Sequence, residues 1–165
     1  MKHWFEDIYQ QHRQGLYSLA LSVTRQPAAA EDAVHDAAVR LIHKAEAPAG
    51  DSAAYVFRSV RNAAIDQVRR RQTQGLQPQG LFADPAPGPY EQATGHEQRQ
   101  RLMDAVNALP QAQREAIVMR IFGQLTFQQI ADANQQPLST VASRYQRGLT
   151  RLKQTMENSH ERAQA

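Results

Sequence analysis

Three groups of side chains in this sequence could do chemistry. The first is the stretch YVFRSVRNAAIDQVRRRQ, residues 55–72, with five arginines around one asparagine and one aspartate. Advancing about 100° per residue from Phe57 brings Val60, Ala64 and Val68 within roughly 60° of it and sets Arg58, Asn62, Asp66 and Arg69 on the far side. One face packs, and the other is a row of Arg, Asn, Asp and Arg. Asp66 is the lone acid there and is placed to pair with Asn62 or Arg69. Arg61 lies near the packing face, where it either snorkels or meets an acid of the preceding helix. Asparagine is a poor helix former, so its place mid-helix favours a reading of base edges and phosphates over a solvated surface.

The second group lies in STVASRYQRGLTRLK, residues 139–153. Thr140, Arg144, Arg147 and Arg151 recur at i, i+4, i+7 and i+11, opposite Val141, Tyr145, Leu149 and Leu152. A solvated amphipathic helix balances its charges, whereas residues 139–153 carry four basic residues and no acid. Such a helix can enter a major groove, read base edges and grip phosphates. Sixteen of the nineteen basic residues are arginine, the side chain whose planar fork suits phosphate and base edges.

The third group is six histidines and the carboxylates near them: His3, His12, His35, His43, His96 and His160. None forms the His-Glu-x-x-His zinc pattern. Glu31, Asp32 and Asp36 beside His35 read as a docking face rather than an acid–base pair. The chain has no cysteine, which excludes disulfides, thiolate metal sites and cysteine nucleophiles. We expect no catalytic residue, no metal and no cofactor.

These groups need elements to hold them. Apolar residues at helical spacing mark a helix over 3–24, closed by Pro27, and another over about 29–45. The arginine-rich helix follows the break EAPAGDS. Four prolines and four glycines then crowd residues 75–95, a composition of turns and extended chain that we read as a flexible linker. After it, Leu102, Val106 and Leu109 mark one helix, and Ile117, Val118, Ile121 and Phe122 a second that Gly123 caps. Thr126 and Gln129 form a capping box for a short third helix over 126–133. NQQPL is a turn, and residues from 139 form the fourth helix. Short helix, tight turn and longer helix is the helix-turn-helix pattern. The sequence thus predicts an all-α chain of two small helical domains: 1–74, linker 75–95, 96–157, and a frayed tail at 158–165. Net charge is +3, and no run of about 20 apolar residues could span a bilayer. MKHWFEDIYQQHRQ lacks a signal peptide's apolar core, so we expect a cytoplasmic protein.

Taken together, AEDAVHDAAVRLI (30–42), YVFRSVRNAAIDQVRRRQ, the linker, ALPQAQREAIVMRIFGQLTFQQIA and STVASRYQRGLTRL resemble an extracytoplasmic-function sigma factor of bacterial RNA polymerase, in the family's order. The resemblance implies that the first domain is sigma region 2. Glu31, Asp32, Asp36 and Arg40 would then dock on the clamp helices of the polymerase largest subunit. Tyr55, Arg58, Asn62, Asp66, Arg69 and Arg70, with the loop over 47–54, would recognise and melt the promoter −10 element. The second domain would be region 4, docking at the flap, with Ser139, Thr140, Ser143, Arg144, Arg147 and Arg151 at the −35 element. An anti-sigma factor is a partner by family. The chain departs from the family pattern at His35, at Ala38 and at Gln135, where the turn often has glycine. A rival reading is a helix-turn-helix regulator whose N-terminal half senses a ligand or dimerises. It predicts a pocket or dimer face in residues 1–72.

Overall fold

Local signals at helix ends set most of the boundaries. The computed structural model describes residues 3–75 and 93–165, so most of the expected linker lies outside the described residues. Helix α1 runs Trp4–Thr24, with His3 as N-cap accepting from the Phe5 N–H, and Arg25 ends it in the left-handed conformation. Pro27 opens α2 (Pro27–Ile42) rather than merely closing the helix before it; a first-turn proline loses no intrahelical bond. Asp51 caps α3 (Ser52–Thr73) by accepting from the Ala54 N–H. Four more helices follow: α4 (Ala93–Ala108), α5 (Gln111–Ile121), α6 (Phe127–Asn134) and α7 (Leu138–Gln164). No strand occurs among the described residues.

Helices α1, α2 and α3 pack on one another as one bundle, and α5, α6 and α7 as a second, with α4 lying along α7. The expected packing face of α3 is correct and wider than its stripe: Phe57, Val60 and Ala64 are buried, and so are Val56, Ala63 and Gln67. The expected stripe of α7 also holds, with Val141 and Leu152 buried and Tyr145 and Leu149 packed against the core. The capping box of α6 is complete, Thr126 and Gln129 each taking the other's backbone N–H.

The bundles are not separate. One apolar cluster runs through both, with α1 against α5 and α3 against α6. Arg114, near the start of α5, is 5% exposed. Its guanidinium donates to Ser22 O at the end of α1 (3.0 Å), and to Asn107 O (3.1 Å) and Leu109 O (3.0 Å) at the end of α4. Carbonyls in a helix's last turn lack intrahelical donors and carry partial negative charge, so one cation closes two helix ends. Burial foremost, then the neighbouring Arg25, lowers the Arg114 pKa, and Glu115 opposes the shift.

Three expectations change. The stretch expected to be a frayed tail continues α7 to Gln164, exposed but helical, since no proline or helix-breaking glycine interrupts it after Gly148. Gly123 does not provide a left-handed cap; Gln124 takes that conformation, at φ 55°. Gly123 is glycine for space: a Cβ there would stand 2.5 Å from Met119 O and 3.1 Å from Phe57 Cε1. Arg61 meets Glu115 of α5, at 3.1 Å, and not an acid of α2.

Two stability outcomes follow. Gln135 ends α6 at φ 54°, a left-handed conformation that costs a side chain of its type of order 1 kcal/mol. Gln135→Gly should raise the thermal midpoint by a few degrees in a calorimetric scan, on the order of 1 kcal/mol. Arg114→Ala strips the Ser22 and Leu109 carbonyls of their side-chain donor and leaves Asn107 O to Arg25 at 3.4 Å, and should destabilise by roughly 2–3 kcal/mol in urea titration.

Candidate nucleic-acid interface

The face of α3 opposite the core carries the expected row in part. Asn62, Arg69 and Arg70 are exposed, while Arg58 and Asp66 are half-buried. No hydrogen bond joins Asp66 to Asn62 or Arg69 among the described residues. Arg58 does not point freely outward. Its Nη2 donates 2.8 Å to Asp132 O of α6, and its guanidinium stands 6.0 Å from the centre of the Tyr55 ring.

Tyr55 is held from several sides. Lys44 Nζ donates to its hydroxyl at 2.7 Å and lies 4.9 Å from the ring centre. The Lys44 carbonyl is itself fixed, by His3 Nε2 at 2.7 Å and Trp4 Nε1 at 3.0 Å. The first residues of α1 thereby anchor the start of the loop that leads into α3. This anchor escaped sequence reasoning, although a tryptophan next to a capping histidine offers two ring donors close together. Ala49, Gly50, Asp51, Ala54, Tyr55 and Arg58 line one wall of a cavity of about 690 Å³, and the turn after α6 lines the other.

The arginine run at the end of α3 has structural partners. Arg71 donates to Gln26 Oε1 (2.8 Å) and lies 3.8 Å from Asp32. Arg70 lies 4.0 Å from Asp36, whose carboxylate also accepts from Gln67. Two of the α2 acids therefore face α3 as well as solvent. Glu31, Asp32 and Arg40 are exposed and Asp36 is half-buried. Val39 and Ile42, at 44% and 49% exposure, add an uncovered apolar edge beside them. A cleft of about 920 Å³ runs between α1 and α2 and is lined mostly by polar side chains, among them Gln10, Arg13, Tyr17, Glu31 and His35. There the hydroxyl of Tyr17 is pushed above its usual value, by burial first and by Glu31 second.

On α7, Ser139, Arg147 and Arg151 are exposed, and Thr140, Ser143 and Arg144 are half-buried. No acid stands on that stretch. Arg144 lines a smaller cavity, about 300 Å³, together with Arg61, Glu115 and Asn134. The structure therefore brings the α3 row and the start of α7 toward one another, whereas the α2 acids face elsewhere. Among the described residues no group of three or more His, Asp or Glu could hold a metal, and no helix is long and apolar enough to cross a membrane.

A basic helix with a polar outer row and a capped helix-turn-helix, on two helical bundles packed together, define a sigma-type transcription factor. Comparison with known proteins agrees. Residues 8–74 match the family model for sigma-70 region 2, and residues 99–152 match that for sigma-70 region 4. The ECF RNA polymerase sigma factor RpoE of Cereibacter sphaeroides is 39% identical over 108 residues, which are 63% of this chain and 58% of that protein. The ECF RNA polymerase sigma factor SigK of Mycobacterium tuberculosis is 24% identical over 163 residues, 94% of this chain and 87% of that one. Among solved structures, the sigma factor RpoE of Bartonella quintana, crystallised with the anti-sigma factor NepR, superposes with a TM-score of 0.74 over 93% of this chain and 96% of that one, at 22% identity. The chain belongs to the sigma-70 family, in its extracytoplasmic-function branch.

Proposed function

We propose that this chain is an alternative sigma factor: it binds core RNA polymerase and directs initiation at promoters with suitable −10 and −35 elements. The observation that carries the reading is the pairing of two distinct reading helices in one chain. The first, α3, has an exposed Asn62 amid arginines on a firmly packed helix. The second, α7, follows a capped short helix and a tight turn and presents arginines without acids. A ligand-sensing regulator needs only the second.

In this reading the side chains divide the work. Tyr55, with Lys44 and Arg58 against its ring, is an aromatic platform of the kind that single-stranded bases stack on. Asn62 and Asp66 offer groups for base edges, while Arg58, Arg69 and Arg70 offer cations for phosphate. Melting a promoter costs a few kcal/mol of lost stacking per base step, which stacking on protein aromatics offsets. On α7, Ser139, Thr140, Ser143 and Arg144 sit at the helix start, where a recognition helix meets base edges. Arg147 and Arg151 lie further along, toward the phosphates. Glu31, Asp32, Asp36 and Arg40 form the docking face for the polymerase clamp, with Val39 and Ile42 as its apolar part. The flap would take region 4. Polymerase does the chemistry, so the chain needs no catalytic group or cofactor, and it works in the bacterial cytoplasm. An anti-sigma factor is a fitting regulator, given the one that accompanies the Bartonella quintana protein.

Run-off transcription with core polymerase on a promoter library tests the whole reading. The wild-type chain should support initiation from a defined subset of promoters. Asn62→Ala should lower open-complex formation by about 5- to 150-fold, the range of one lost base contact at ~1–3 kcal/mol. Arg144→Ala should relax choice at one −35 position. Arg151→Ala should weaken all promoters alike and lower the slope of log affinity against log salt by about 0.9. Tight binding to duplex DNA without polymerase, and no initiation with it, would favour the regulator instead.

A further inference from the structure

The start of the loop between α2 and α3 is held more firmly than an exposed chain requires. Lys44, the second residue after α2, donates its N–H to Leu41 O (3.1 Å). Its carbonyl takes two donors, His3 Nε2 at 2.7 Å and Trp4 Nε1 at 3.0 Å. Water satisfies an exposed carbonyl at little loss. Two rings from the start of α1 on one such oxygen therefore fix where it sits rather than merely satisfy it. His3 uses both of its ring nitrogens. Nδ1 accepts from the Phe5 N–H (3.3 Å) as the cap of α1, which leaves Nε2 to carry the proton that it donates to Lys44. At the far end of the loop, Asp51 caps α3 through the Ala54 N–H (2.8 Å). The loop is thus pinned at both ends, and Lys44 is the first pin.

The side chain of Lys44 runs from there to Tyr55. Its ammonium donates to the hydroxyl at 2.7 Å and stands 4.9 Å from the ring centre. An ammonium directly above that oxygen would lie closer to the centre, so Lys44 sits at the hydroxyl edge and does not cap the ring face. The hydroxyl accepts from a cation and keeps its own proton for an outside acceptor. The charge-assisted bond polarises it toward donation. Two further ammonium N–H groups remain for an anion, and Lys44 is exposed. Only three of the nineteen basic residues are lysine. An arginine's flat fork engages one partner in one plane, whereas a compact ammonium can serve the hydroxyl and a phosphate together.

We propose that Lys44 is a further nucleotide-contacting residue. It holds the phosphate of an unstacked nucleotide whose base lies on Tyr55, and His3 and Trp4 are the positioning residues that aim it. The proposal rests on the reading of Tyr55 as a −10 platform. It adds to that reading a phosphate contact on the loop and a role for the first residues of α1.

Open-complex kinetics with the full chain and core polymerase test this. Lys44→Met keeps the aliphatic stem and removes the charge. It should lower open-complex formation about tenfold, the size of one charge-assisted contact. It should also reduce the slope of log affinity against log salt by about 0.7, the value for one phosphate on a single strand. His3→Asn combined with Trp4→Phe keeps a helix cap and an aromatic ring while removing both donors to Lys44 O. That pair should lower open-complex formation about two- to tenfold, with helix content, affinity for core polymerase and −35 preference unchanged. In the Lys44→Met background the same pair should cost nothing further, because a positioning residue acts only through what it positions. An unchanged salt slope in Lys44→Met overturns the phosphate contact. A loss from the pair that adds in full to that of Lys44→Met overturns the positioning and leaves the anchor a structural one. No initiation by the unsubstituted chain on any promoter would refute the sigma-factor reading and this inference with it. Initiation that Lys44→Met leaves unaltered would refute this inference alone.

Discussion

Arg114 is the point on which the two bundles converge. Its guanidinium is buried and answers carbonyls at the ends of α1 and α4, so a single positive charge completes helix termini in both halves of the chain. A buried arginine is tolerable only when its donors are filled and the surrounding dipoles favour its charge. Two helix C-termini supply both. Glu115, the next residue in the chain, turns to the other side and takes Arg61 of α3. Consecutive residues of α5 therefore reach α1 and α3 separately, and they fix how the second bundle sits on the first.

Much of this was legible in the sequence, and the residues show why. The inward stripe of α3 and that of α7 follow from helical periodicity, which depends only on local geometry. The capping box at Thr126 and Gln129 is likewise a local signal. The seam between the bundles was not legible in that way. Gly123 reads as a helix cap, because that is where glycine is common; its real reason is the space taken by Met119 O and by the Phe57 ring of the other bundle. Arg61 reads as a snorkelling side chain because its partner lies beyond the linker. Where a residue's role depends on the other bundle, local pattern assigned it the nearest local purpose.

The candidate site divides along the same line. Asn62 stands out on α3, as angular placement indicated. The arginine run beside it drew attention by number alone, yet Arg71 is tied to Gln26 and Asp32. Arg70 lies within only 4.0 Å of Asp36 and stays largely exposed. Counting charges overstated one end of the helix, and the pairing with α2 corrects the count. The same acids belong to the face proposed to meet polymerase, so α2 and the end of α3 share charge between holding the bundle and offering a surface.

The chemistry of the seam also bears on how firmly the halves can hold. A glycine pair, Gly15 against Gly123, allows close approach but contributes little apolar area, and the contacts around it are hydrogen bonds and one ion pair. Interfaces between domains of one chain are commonly of this modest, polar kind, and relative motion is their default. The apolar cluster is continuous through Phe57, Ile117 and Met119, which gives the contact a real free energy. Around that centre the polar groups at the edge, Arg58, Arg61, Asp51 and Gln129, pair across the seam. A seam made wholly of interlocked leucines would bind more tightly and open reluctantly. This one has an apolar centre and a polar rim, so its strength comes from the centre and its alignment from the rim.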